Sequence, residues 1–170
     1  EAADMRCFCG FDDIKYARVA RGKLICPYCS GEIVCEPVPT SLCSPAQVFA
    51  AVALSMRRRK QESFWVFLLD VRNHLIGKYE VCKGSLASCM VHPREVFAGA
   101  VSKHAAAVIL MHNHPSGDPT PSDEDMRLTE RLAAAGQILA VPVMDHLIVT
   151  ATSYFSFREA GLKIQPDETR

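Results

Sequence analysis

The feature that most constrains the fold is an apolar run, Ala105 to Met111, that leads directly into two histidines. Consecutive apolar residues in a run of this length predict a strand that is buried on both faces. His112 and His114 then fall at the end of this strand or just past it. Because side chains two residues apart on an extended chain point the same way, both imidazoles can face one ion.

The residues that follow favour a metal site. Three prolines and a glycine make residues 115–121 an irregular loop, after which Ser122 is typical of a helix N-cap. Asp125 would then lie on the buried face of that helix, where a carboxylate needs a partner. Imidazole nitrogens and carboxylate oxygens are zinc ligands, so the spacing favours His112, His114 and Asp125 around one ion. The alternative is a capping box, in which Asp125 only bonds back to its own helix end.

A separate zinc site is predicted in residues 1–36, which resemble a zinc ribbon. This module carries two cysteine pairs, Cys7 with Cys9 and Cys26 with Cys29. Four thiolates from two short loops can hold a structural zinc ion, and metal binding can stabilise a module too small for a core of its own. Because the first pair has one spacer residue rather than two, Cys35 is an alternative ligand. Disulfides and unligated thiols are the other interpretations.

The composition limits the class of protein. Net charge is zero and the pI is about 7.2, so no global basic field favours nucleic acid or a membrane surface. No apolar run approaches the roughly 18–20 residues of a spanning helix, and no signal peptide is visible. Close cysteine pairs beside a metal motif favour thiolates in a reducing compartment, so we expect a cytoplasmic protein. Cys43, Cys82 and Cys89 stand alone and are interpreted as packing residues.

The order of predicted elements defines the fold class. After a proline-containing linker, residues 37–43, Ser44 and Pro45 are typical of a helix start. The elements that follow are strands at 64–69 and 75–81, a helix at 92–104, the strand ending at 111, a helix ending near 136, a strand pair at about 137–149 and a short helix near 155–160. Residues 163–170 form a polar tail. This order predicts a layered α/β domain, residues 44–162, with a mixed sheet.

The motif around the two histidines resembles the JAMM motif of the JAB/MPN metalloenzymes: His-x-His, ten residues and Asp, with Pro115 and Ser122 between. Two further strings resemble the RadC-type branch of that family, namely Val91-His92-Pro93-Arg94-Glu95-Val96 and Asp145-His146-Leu147-Ile148-Val149. The resemblance covers about residues 44–162. It implies a JAB/MPN-like fold, in which a mixed β-sheet is flanked by helices, and zinc-dependent amide hydrolysis.

The predicted chemistry requires a proton carrier beside the metal. Zinc at this site leaves one coordination position for a water, whose pKa the ion lowers to about 7. A carboxylate must then carry the proton to the leaving amine, and the residues alone leave Glu62, Glu80 and Glu95 as candidates. The resemblance implies Glu62, since the general base of the family is a glutamate just before the first core strand. It also implies that Ser122 helps to stabilise the oxyanion.

Other polar residues near these motifs are interpreted as supporting residues. His92 and His146 are expected to be structural, whereas Asn113 and Asp118 belong to the loop or support the metal ligands. Trp65 is expected in the core. The basic run at 57–60 is interpreted as a solvated helix end, with a patch for phosphate or an acidic partner as the alternative.

Two functions of different class are compatible with these motifs. The resemblance implies a zinc metallopeptidase or isopeptidase that acts on a protein or peptide, including a ubiquitin-like tail. We expect two zinc ions per chain, one catalytic and one structural, and a 1–36 module that recruits the substrate or a partner. The alternative is a nucleic-acid-associated RadC-like protein, related to DNA repair or a nuclease, that binds through the module and residues 57–60. Neutral charge disfavours it, and the cysteine-rich module stands where the RadC-type plan has a helical, DNA-binding-like domain.

Overall fold

The computed structural model describes residues 18–20, 23–25, 42, 44–56, 59–84, 91–162 and 164. The chain divides into two compact units, Glu1–Thr40 and Ser41–Arg170. In the first unit, strands β1 (Arg18–Ala20) and β2 (Lys23–Ile25) pair antiparallel. The predicted ligands of the structural zinc lie outside the described residues: Cys7, Cys9, Cys26, Cys29 and the alternative Cys35. Nearly all of the predicted linker and polar tail also lies outside them.

The second unit is built on a five-stranded mixed sheet. Its elements are α1 (Pro45–Met56), β3 (Ser63–Leu69), β4 (Leu75–Lys83), α2 (Pro93–Ser102), β5 (Ala107–Asn113), α3 (Asp123–Ile138), β6 (Val143–Val149) and β7 (Tyr154–Ser156). The strand order is β4-β3-β5-β6-β7, in which β5 and β6 are parallel and the other neighbours are antiparallel. The predicted mixed sheet flanked by helices is therefore confirmed. Within the described part of the chain, no helix is long and apolar enough to cross a lipid bilayer.

Helices cover both faces of this sheet. Every residue of β3 and β5 is buried, as a near-continuous apolar run predicts. One face packs against α2 and α3, in a core that includes Phe64, Val66, Phe97, Leu110 and Leu132. The other face packs against α1, and Trp65 lies in that second core as predicted.

Two predicted elements differ from the structure. The strand pair expected at 137–149 is wrong because α3 runs into this range and closes there in a Schellman motif. In that motif Val141 N–H donates to Gly136 O (2.9 Å) and Ala140 N–H to Gln137 O (3.1 Å), so β6 alone occupies the rest of the range. The helix expected near 155–160 is also wrong. Residues 154–156 instead extend the sheet as β7 beside β6, and a turn follows.

Cys82 is the one cysteine among the described residues. It lies in β4 and is buried in the core, as its interpretation as a packing residue predicts. It is also disulfide-bonded, which that interpretation did not include. Every other cysteine of the chain, including Cys43 and Cys89, lies outside the described residues.

Candidate metal centre

Strand β5 positions the two histidines. It continues through Asn113, two residues further than predicted, so that His112 lies within the strand and is fully buried. Its partner on β3 is Phe64, and alternation places both side chains on the face covered by α2 and α3. His114 follows directly, and its N–H donates to Val149 O of β6 (2.9 Å). The sheet therefore holds both imidazoles on one side.

Helix α3 brings the carboxylate to them. Ser122 caps this helix in a reciprocal capping box: its hydroxyl accepts from Asp125 N–H (3.2 Å), and Asp125 Oδ2 accepts from Ser122 N–H (2.8 Å). Asp125 Oδ2 also accepts from the Ser122 hydroxyl (2.6 Å). The other oxygen, Oδ1, lies 3.1 Å from His112 Nε2. One carboxylate thus caps its helix and faces the histidines, so the two interpretations of Asp125 are compatible.

The three predicted ligands converge with spacing that suits zinc. Nε2 of His112 lies 3.0 Å from Nε2 of His114, and Asp125 Oδ2 lies 3.6 Å from the latter. Tetrahedral bonds of about 2.0–2.1 Å would separate ligand atoms by about 3.3 Å. These residues form the group of possible metal ligands found among the described residues.

A chain of hydrogen bonds behind His112 fixes its tautomer. The Thr129 hydroxyl donates to the carbonyl oxygen of Asp125 (2.6 Å), which can only accept. The Thr129 hydroxyl has then used its proton, so its oxygen accepts from Nδ1–H of His146 (2.6 Å). Nε2 of His146 in turn accepts from Nδ1–H of His112 (2.9 Å). Nε2 of His112 consequently carries a lone pair towards the other ligands. The chain begins at one ligand and ends on the backbone of another.

The tautomer of His114 is fixed in the same way. Its Nδ1 lies 2.8 Å from the carbonyl oxygen of Asp118, so Nδ1 carries the proton and Nε2 a lone pair. Two nitrogen lone pairs and a carboxylate therefore face one another at close range. A cation between them would satisfy both lone pairs and the carboxylate charge, and the nitrogen and oxygen donors fit a zinc ion.

The electrostatic environment keeps two of the three ligands, His112 and Asp125, in the forms that bind metal. Burial lowers the pKa of His112 and holds the pKa of His146 well below its usual range. Burial would raise the pKa of the Asp125 carboxyl, but the close approach of the His112 and His114 rings outweighs burial and holds that pKa far below its usual range. The hydrogen bond with Asp125 raises the pKa of His114. A neutral His112 and an ionised Asp125 are ready for a metal ion.

Glu62 lies beside this centre. Glu62 directly precedes β3, whose Phe64 pairs with His112 on β5. Alternation puts the Glu62 side chain on the same face of the sheet as both histidines. Its charge is close enough to raise the pKa of each imidazole. The structure thus brings the predicted general base to the predicted ligands.

The two other candidate bases have other partners. Glu80 accepts a hydrogen bond from Arg59 (2.7 Å), and Glu95 pairs with Arg94 on the surface of α2 (3.1 Å). His92 occupies the N-cap position of α2 and makes no side-chain capping bond. These positions favour Glu62 over its alternatives.

Sequence reasoning missed what His146 and Thr129 do. His146 was expected to be structural, and the structure places its ring directly behind His112. The available signal was an aspartate and a histidine, Asp145 and His146, in the otherwise apolar strand next to β5. Thr129 gave no signal, since a threonine in a helix has no distinctive spacing from the motif.

Comparison with known proteins agrees with this geometry. The profile of the RadC-like JAB domain matches residues 42–162. A UPF0758 protein of Trichlorobacter lovleyi is 53% identical over 119 residues, which cover 70% of this chain and 52% of that protein. One from Methanosarcina acetivorans is 41% identical over 130 residues, covering 76% and 57%. The chain spans about half the length of these curated relatives. Since the profile covers most of the chain and the sheet carries the converging ligands, the chain belongs to the RadC-like JAB domain family.

Proposed function

We propose that this protein is a zinc-dependent metallopeptidase or isopeptidase that cleaves an amide bond in a protein or peptide. The observation that carries the proposal is the convergence of two deprotonated imidazole nitrogens and the Asp125 carboxylate beside Glu62. A pure scaffold has no physical need for this combination. A ubiquitin-like tail is one substrate of the proposed class.

The residues of the site have distinct roles in the proposed reaction. A zinc ion held by His112, His114 and Asp125 supplies Lewis-acid activation of a water molecule. Glu62 accepts the proton of the attacking water and delivers it to the leaving amine, so that the proton balance closes. Ser122 is exposed at the helix end beside Asp125. Its hydroxyl oxygen caps α3 by accepting from Asp125 N–H, and its one proton turns from Asp125 Oδ2 to the developing oxyanion during the reaction.

The first unit is proposed to hold a second, structural zinc ion through Cys7, Cys9, Cys26 and Cys29, and to recruit the substrate or a partner. Elemental analysis should then give two zinc ions per chain. Replacing Cys26 and Cys29 together by serine should remove one ion and leave the other. A wild-type content of one zinc, or loss of both ions in this variant, would contradict independent sites.

The nucleic-acid alternative has less support. Within the basic run, Arg59 bonds Glu80 (2.7 Å) and the Ser63 hydroxyl (2.8 Å), and its guanidinium stacks 5.0 Å from the Trp65 ring centre. A guanidinium engaged by three neighbours is poorly placed to bind phosphate. This observation favours the peptidase.

The zinc-loaded full chain can be tested on internally quenched peptides of randomised sequence, on matching isopeptides joined through the lysine side chain, and on oligonucleotides. We expect cleavage of a peptide or isopeptide. Glu62→Gln should retain zinc and lose roughly 10²–10⁴-fold in turnover, whereas His114→Ala should lose zinc and activity together. Near-normal turnover in Glu62→Gln would contradict its role as base. Zinc-dependent cleavage of oligonucleotides alone would support the alternative.

A further inference from the structure

Asn113, between the two histidines, bonds the backbone on either side of Glu62. Asn113 is buried, with 2% of its surface exposed, and alternation turns its side chain away from the face that carries His112. Its Oδ1 accepts a hydrogen bond from Ser63 N–H (2.9 Å), and its Nδ2 donates to Gln61 O (3.1 Å). These two backbone groups flank Glu62.

The side chain of Asn113 replaces backbone pairing that the strands no longer provide. The β3–β5 ladder ends at the Phe64–His112 pair, and the next N–H of β3, that of Ser63, donates to the Asn113 side chain. The primary amide offers one acceptor and one donor in a plane, as a peptide group does. It therefore extends the hydrogen bonding of β3 by the residues that carry Glu62.

Glu62 itself is held from the other side. Its carbonyl oxygen accepts from Gly84 N–H (2.9 Å), beyond the end of β4. Three backbone groups across residues 61–63 are consequently fixed, two of them by one side chain. A general base must lie within hydrogen-bond reach of the proton that it removes, so this clamp acts on the geometry that catalysis needs.

We propose that Asn113 is a positioning residue for Glu62. In the segment His112-Asn113-His114, the outer residues face the metal centre and the middle residue holds the base. The end of β5 therefore sets the distance between the metal centre and Glu62. The inference rests on the proposed role of Glu62. It adds a residue that acts on Glu62 through the backbone of its two neighbours, Gln61 and Ser63.

Asn113→Ala in the full chain tests the proposal. The variant should keep the zinc content of the wild type, and its KM for the cleaved peptide or isopeptide should change by less than about twofold. Its kcat should fall roughly 10–100-fold, since a displacement of about 1 Å has that effect. In the Glu62→Gln background the same substitution should cause no further loss, because no base is left to position. Amide exchange at Ser63 should be faster in the variant.

Two further variants make the result decisive if Asn113→Ala folds poorly. Asn113→Asp keeps the acceptor for Ser63 N–H and loses the donor to Gln61 O, so its kcat should be intermediate. Ser156→Ala, on β7, is the control for stability. It removes a buried hydrogen bond from the Ser156 hydroxyl to Asp145 and a half-buried one from Glu159 N–H, and it should leave kcat unchanged.

The possible failures are distinguishable. Unchanged kcat in Asn113→Ala beside a large effect of Glu62→Gln would overturn this inference alone. So would loss of zinc, or an equal loss of kcat in both backgrounds, since Asn113 would then support the ligands or the fold rather than the base. Normal turnover of Glu62→Gln would overturn the proposed base and this inference with it.

Discussion

Thr129 contributes one hydroxyl group to the site, and that group decides which nitrogen of His112 carries a proton. The hydroxyl has a single proton, which it gives to the Asp125 carbonyl oxygen, and the direction of each following bond to His146 and His112 is then settled. Neither Thr129 nor His146 faces the metal position. They orient a ligand that does, as partners of metal-bound histidines commonly do.

Thr129→Val keeps the shape of the side chain and removes this chain of bonds. We expect the zinc affinity of the site to fall roughly 10–100-fold, the usual effect of losing such a partner. Competition with a chromophoric chelator measures the affinity. Thr150→Val is a matched control, because Thr150 is also buried and bonds the Ser153 carbonyl instead. Equal effects of the two substitutions would show that the tautomer of His112 does not depend on Thr129.

Sequence reasoning reached the residues with a short, regular spacing and missed those that act across the fold. His112, His114 and Asp125 share one segment, and Glu62 was found through the family resemblance. The bond between His112 and His146 joins residues 34 apart, and that between Ser63 and Asn113 joins residues 50 apart. Such contacts depend on strand register, which no local pattern specifies.

At the scale of elements, β3, β5 and the end of α2 were predicted well, whereas the end of α3 was not. Apolar runs buried on both faces give a strong strand signal. Helices α2 and α3 end with His104 (φ 51°) and Ala140 (φ 54°) in the left-handed conformation, where glycine is the usual residue. Gly136 lies inside α3 instead, and the end was therefore expected too early.

The substitution of alanine by glycine should have opposite effects within α3 and just past its end. Ala140→Gly relieves a left-handed alanine, which costs about 1–2 kcal/mol, and loses part of that gain to unfolded-chain entropy. We expect a net stabilisation of about 0.5–1 kcal/mol. Ala134→Gly, at an exposed position within the helix, should destabilise by about 1 kcal/mol. Urea denaturation measures both, and a loss of stability in Ala140→Gly would contradict the Schellman geometry.

At the scale of the whole molecule, the buried imidazoles should make the stability of the second unit depend on pH. Burial lowers the pKa values of His112 and His146. Below about pH 6.5 these imidazoles therefore bind protons in the unfolded chain and stay neutral in the folded chain. Stability should therefore fall as pH falls through that range. His114 acts in the opposite sense, because Asp125 raises its pKa.

Removing one imidazole should reduce this dependence. After removal of metal with a chelator, the free energy of unfolding should fall less in His146→Gln than in the wild type between pH 7.5 and 5.5. The two slopes should differ by at most about 1.4 kcal/mol per pH unit, the effect of one proton. The fluorescence of Trp65, the single tryptophan of the chain, reports the unfolding of this unit because the residue is buried in its core. If the free energy of unfolding depends on pH equally in the two proteins, His146 takes up a proton as readily in the folded chain as in the unfolded one.

Anomalous scattering at the zinc absorption edge, from crystals of the zinc-loaded full chain, tests the metal centre most directly. The account predicts a peak bonded to Nε2 of His112 and Nε2 of His114 at about 2.0–2.1 Å and to an oxygen of Asp125 at about 2.0–2.2 Å. Nδ1 of His112 should still lie against His146. A zinc-loaded crystal with no peak between these three side chains, or with the ion bound through Nδ1 of either histidine, would contradict it.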